Sequence, residues 1–133
     1  MEIRWFYKER LIMGNTAAEF VGMLFLAREI AHRIHLKTSS FAEHNTLNEF
    51  YEAIVPLADD FAQQYQGKFD LRLDIPYVNN KYKGTISQVL RQQMDWIEAN
   101  RQQIVPRTET ALHNKIDEIV ALYQNTLYQL TLK

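Results

Sequence analysis

Apolar residues recur every three or four positions along most of this chain, the period of a helix with one buried face. The first stripe is Phe20, Leu24, Ala27, Ala31 and Ile34. Thr16 and Glu19 precede it at the Ser/Thr-x-x-Glu interval of a capping box, in which each side chain satisfies a free backbone donor. A helix is therefore expected from about Thr16 to Lys37. After the short polar break Lys37, Thr38 and Ser39, Ser40 and Glu43 repeat the capping interval, so a second helix should turn back antiparallel to the first. Its stripe is Leu47, Tyr51, Ile54, Ala58, Phe61 and Tyr65, with a bend expected at Pro56 and a left-handed stop at Gly67.

From Lys68 to Gly84 the period changes. Phe69, Leu71, Leu73 and Ile75 alternate with Asp70, Arg72 and Asp74, a strand-like or extended pattern that Pro76 ends. An extended stretch of this length reaches about 56 Å, against about 39 Å for the second helix, so it can cross the whole length of a bundle. Thr85 and Gln88 then cap a third helix with the stripe Ile86, Leu90, Met94 and Ile97. Pro106 suits the first turn of a fourth, whose stripe is Leu112, Ile116, Ile119, Tyr123, Leu127 and Leu130. The expected fold is all-α: four helices joined by a tight turn, one long crossover between the second and third, and a second tight turn. That is the connectivity of a ferritin-like four-helix bundle.

The bundle is expected to occupy residues 15–133, behind an N-terminal extension at 1–14. The extension carries Trp5, Phe6 and Tyr7, suited to docking on the body, and Met13-Gly14 before a helix cap has the form of a translation start. With 133 residues, 47% of them hydrophobic, the chain suffices for one domain with its own core. The absence of cysteine removes disulfides, thiolate metal sites and cysteine nucleophiles together. No apolar run approaches the ~20 residues of a membrane span, and no secretory leader is present, so a cytoplasmic protein is expected. A formal net charge of −1 offers nucleic acid no general attraction, and residues 1–13 set Arg4, Lys8 and Arg10 against Glu2 and Glu9.

The chemistry-bearing residues gather between His32 and Gln63: His32, His35, His44, Asn48, Asp59 and Gln63. On a helical wheel they fall on the flanks of the first two helices, with Gln63 furthest round. His44 and Asp59 lie about 22 Å apart along one helix, too far to share an ion within a chain. If two copies of the second helix packed antiparallel about an axis near Tyr51 and Glu52, His44 of one would face Asp59 of the other, and a closed dimer would form two identical sites. The same histidines also suit a capping turn or an interface, and Asp59 beside Asp60 suits plain helix surface. A di-iron core of Glu-x-x-His pairs fares worse, because Glu29 before His32 faces away from the core and Glu109 precedes His113 by the wrong interval. No phosphate loop or nucleophilic triad is present.

The intervals from His32 to His44, Asn48, Asp59 and Gln63 resemble those of the Dps family, small ferritin-like proteins that oxidise ferrous iron at dimer interfaces. The resemblance implies metal ligation by His32, His44 and Asp59, with His35, Asn48 and Gln63 as additional positions. Asn48 stands where that family has aspartate and Gln63 where it has glutamate. The family's Trp after the first histidine is Arg33, its aromatic before the second is displaced to Phe41, and its crossover helix gives way to the extended Lys68–Tyr77 segment. A second resemblance, to small phage-encoded ferritin-like proteins, rests on Ala31-His32-x-x-His35-Leu36, on Tyr65-Gln66-Gly67, and on Asp117-Glu118-Ile119 with Thr126-Leu127-Tyr128.

Two iron ions need several hard anionic ligands, whereas one acid with two or three histidines suits a single Zn²⁺ or similar divalent ion better. The expectation is thus a Dps-like homo-oligomer with a degenerate inter-subunit metal site and at most weak ferroxidase activity. The alternative is a non-enzymatic structural or interaction protein, in the host cytoplasm or virion if phage-encoded.

Overall fold

The computed structural model describes the backbone of residues 2–132 and the side chains of residues 14–132. It contains four helices, α1 (Glu2–Lys37), α2 (Phe41–Phe69), α3 (Ile86–Ile104) and α4 (Thr110–Gln129), and no strand among the described residues. The all-α reading holds. The roles expected for Trp5, Phe6 and Tyr7 lie outside the described side chains.

Helix boundaries depart from expectation in three places. α1 runs unbroken through Thr16, so Thr16 and Glu19 do not open a helix. A three-residue interval also puts two residues on one face of a helix interior, where it carries no terminus. α2 continues through Gly67 to Phe69, and the left-handed residue is Asp70, at φ 51° and ψ 53°. Its short polar side chain tolerates that conformation, and the added turn lets Phe69 pack against the core. Pro106 lies before α4 rather than within it, its carbonyl accepting from Glu109 N at 3.0 Å. Pro56 sits inside α2 without ending it.

Of the two expected boxes at helix starts, one forms in full and one in half. Thr85 and Gln88 make a full reciprocal box, with Gln88 N donating to Thr85 Oγ1 at 3.3 Å and Thr85 N to Gln88 Oε1 at 2.9 Å. Ser40 accepts from Glu43 N at 3.2 Å, but its own N–H turns back to Thr38 Oγ1 at 3.1 Å, so Thr38 replaces Glu43 in the return bond.

Contacts between helices fix their directions. Along α2, Phe50, Asp60 and Lys68 meet Tyr123 and Lys115 of α4 and Glu109 just before it in turn, so those helices run antiparallel. Along α3, Gln93 meets Tyr123 and Arg101 meets Asp117, which makes α3 antiparallel to α4 and parallel to α2. Each of α1 and α4 packs against both α2 and α3. Because α2 and α3 point the same way, residues 70–85 must return the chain from one end of the molecule to the other.

The alternation along that return is real although no strand forms. Leu71, Leu73 and Ile75 are half-buried against the core while Arg72 and Asp74 face solvent. Gln66 anchors its start: its carbonyl accepts from Asp70 N and Leu71 N, and its Oε1 from Leu73 N at 2.9 Å. Further on, the crossover presses onto α1 at Gly22, where a Cβ would lie 2.8 Å from the Pro76 carbonyl and 2.9 Å from Val78 Cγ2. Only glycine permits that approach.

One continuous core joins all four helices. Phe20 meets Phe61 edge to face at 5.0 Å, and Phe50 meets Tyr123 likewise at 5.3 Å. Burying each such ring contributes roughly 1.5–3 kcal/mol. A polar pair sits within it: Tyr123 Oη donates to Gln93 Oε1 at 2.9 Å, both residues fully buried. Among the described residues Gln93 Nε2 has no hydrogen bond, and the Tyr82 phenol lies beside the same amide. Burial pushes the Tyr123 phenol far above its ordinary pKa, and the Tyr82 phenol is raised chiefly by burial too.

Candidate functional site

The turn between α1 and α2 brings three of the four histidines together. His35 Nδ1 lies 2.7 Å from the His44 carbonyl, and His44 Nδ1 lies 2.8 Å from the His35 carbonyl. A carbonyl oxygen only accepts, so each Nδ1 carries a proton and donates it. The rings stack at 3.7 Å with 17° between their planes. The arrangement answers a local need. The last carbonyls of α1 have no partner within their helix, and His44 reaches back from the first turns of α2 to satisfy that of His35. The tautomer that follows leaves Nε2 of each ring as the nitrogen outside the clasp.

The cluster extends outward. His32 stacks on Tyr51 at 4.4 Å and 12°, and Tyr51 Oη donates to Asn48 Oδ1 at 2.7 Å. Phe41, largely exposed, lies 6.5 Å from the His44 ring. His32, His35, His44 and Asn48 therefore form one aromatic and hydrogen-bonded group at the turn. Asp59 and Gln63 do not join it; both are exposed, further along α2. Among the described residues no three histidine or acidic side chains come together so as to hold a metal ion.

The fourth histidine is structural as well. His113 Nε2 donates to the Pro106 carbonyl at 3.1 Å, and its Nδ1 faces Arg101 Nη1 at 3.4 Å. Arg101 bridges to Asp117 at 2.7 Å and Glu98 at 3.3 Å. Burial works to lower the Arg101 pKa, but its hydrogen bonds to Asp117 and Glu98 and their charges raise it on balance.

Sequence spacing did not reveal the direct pairing of His35 with His44, because a turn's geometry, not a helical interval, makes it. Nor did it reveal a cleft between the crossover, α1 and α3, whose lining includes Glu19, Asp74, Tyr77, Tyr82 and Trp96. These residues come from three elements and share no interval that could have announced them.

The molecule so described is an all-α protein with one core and a histidine-clasped helical hairpin. A family of unknown function, DUF5856, matches residues 35–130, and the chain belongs to that family. It is also 25% identical over 125 residues to a protein of Enterobacteria phage T4 described as an uncharacterized 14.6 kDa protein of the mobD-ri intergenic region. That match spans 90% of this chain and 91% of the phage protein. No solved structure matches. Among the described residues no helix is long and apolar enough to cross a membrane.

Proposed function

We propose that this chain is a ferritin-like bundle that acts by association rather than by redox chemistry, as a structural or interaction protein of a phage-related family. The order of the helices, with a full-length crossover between two parallel members, supports the ferritin-like part of this reading. One observation carries the functional part: His35 and His44 are committed to each other's backbone and Asn48 to Tyr51, so these three of the candidate ligands serve the α1–α2 hairpin. Self-association runs through α2 near Tyr51 and Glu52, both accessible on that helix. Sedimentation of the purified chain tests it, with a dimer or larger assembly expected; a monomer at high concentration overturns it.

A second reading, the Dps-like inter-subunit site, is favoured by the clasp's tautomer. Both Nδ1 atoms donate, so His44 keeps an Nε2 lone pair when neutral, as its clasp partner His35 does; in this reading His32 and His44 are the nitrogen ligands of a divalent ion, with His35 as an additional one. Asp59 of the opposite subunit is the anionic ligand there, and ferrous iron is the substrate. Iron oxidation by the chain and by Asn48→Asp/Gln63→Glu separates the two readings. The association reading expects wild-type oxidation no faster than buffer and no gain in the double variant. Faster oxidation by the restored acids establishes the second reading instead.

A further inference from the structure

The crossover does more than connect two parallel helices. Where it passes α1 and the middle of α3 it borders an open cleft of about 640 Å³, within the range of small-ligand sites. Three aromatic rings line it, Tyr77 and Tyr82 from the crossover and Trp96 from α3. Two carboxylates stand among them, Glu19 from α1 and Asp74 from the crossover, with Lys81 as the cation in the lining. Neither carboxylate has an ion-pair partner among the described residues. Glu19 stands close enough to Tyr82 that its charge adds to the effect of burial in raising that phenol.

We propose that this cleft binds a small organic cation, an ammonium or guanidinium group carrying apolar substituents. Aromatic faces present the negative lobe of their quadrupole, and a cation over Trp or Tyr is held by it, most strongly when partly desolvated. Among the described residues of the lining the two acids exceed the one lysine by a single charge, which one bound positive charge balances. The same surplus disfavours a phosphate or carboxylate ligand. A bare metal ion gains little here, because two carboxylates and no histidine fall short of a closed coordination shell. Trp96 and Tyr82 are half-buried and so partly withdrawn from water, whereas Tyr77 is fully exposed and accessible to a ligand from solvent.

The chain has two tryptophans, Trp5 and Trp96, so a Trp5→Phe variant reports the cleft through Trp96 emission alone. The probes are choline, its uncharged isostere 3,3-dimethylbutan-1-ol, and Nα-acetyl-arginine amide; calorimetry on the unaltered chain repeats each titration. A saturable change with choline or the arginine amide is expected, with a dissociation constant on the order of 1 mM. The uncharged isostere should bind about tenfold more weakly, and Glu19→Gln/Asp74→Asn should weaken the cations by a similar factor. Both substituted residues are exposed, so the fold is retained and helical circular dichroism checks it. Tighter binding of choline points to a free quaternary amine, and of the arginine amide to a protein side chain; either sustains the cation site. Equal binding of the isostere, or no saturable signal from either cation, overturns it.

Discussion

His35 and His44 each donate a ring proton to the other's backbone carbonyl, at 2.7 and 2.8 Å, with their rings face to face at 3.7 Å. Nine residues apart in sequence, they tie the end of α1 to the start of α2 with two hydrogen bonds and one stacked contact. The pair is part of why a break as short as residues 38–40 suffices to reverse the chain.

The contact between the crossover and α1 makes a prediction in which the sign is the test. In an exposed helix interior, Gly→Ala stabilises by about 0.5–1 kcal/mol. Gly67 fits that description, since a Cβ there meets nothing within 4 Å. At Gly22 the Cβ would meet the Pro76 carbonyl and Val78, so Gly22→Ala should destabilise by about 1–3 kcal/mol. Urea unfolding of both variants checks it, with midpoints expected to move in opposite directions.

The buried polar pair predicts a non-additive result. Tyr123→Phe removes the donor to Gln93 Oε1 and leaves that oxygen buried without a partner, at a cost of about 1–3 kcal/mol. Gln93→Met strands the Tyr123 hydroxyl instead. The double variant removes both polar groups at similar volume and should be more stable than either single one. Thermal unfolding of the four proteins measures this directly.

Tyr123 also sets a response to alkali. Its folded pKa is raised by burial above the ordinary value of 10.0, so the folded state holds the proton more tightly than the unfolded chain does. The associated stability is fully present below about pH 10 and is lost as pH rises above it. The urea midpoint should therefore fall between about pH 10 and 11.5, and fall less steeply in Tyr123→Phe. Equal slopes would remove Tyr123 as the cause.

Much of this fold was legible because helical periodicity survives burial. The stripes read from Phe20, Leu47, Ile86 and Leu112 onward lie in the core except at Ile34, Tyr51, Met94 and Leu130, which pack against it partly buried, and the alternation from Leu71 to Ile75 correctly marked a half-covered connection. The ends of helices were harder. Thr16 and Gly67 carry local signals for a start and a stop, yet the helices pass through both; beyond Gly67 the added turn packs Phe69 against the core. The candidate site was legible as composition and not as geometry. His35 and His44 were visible as neighbours of a turn, but only the turn's path could show that their Nδ1 atoms reach each other's carbonyls.

The central claim is that these histidines hold the α1–α2 hairpin without metal, and a double-mutant cycle in unfolding free energy tests it most directly. His35→Ala and His44→Ala should each cost about 1–3 kcal/mol, and the pair should couple by about 1 kcal/mol. All values should be the same with and without chelator. Additive losses, or a coupling that vanishes when metal is removed, would contradict the account.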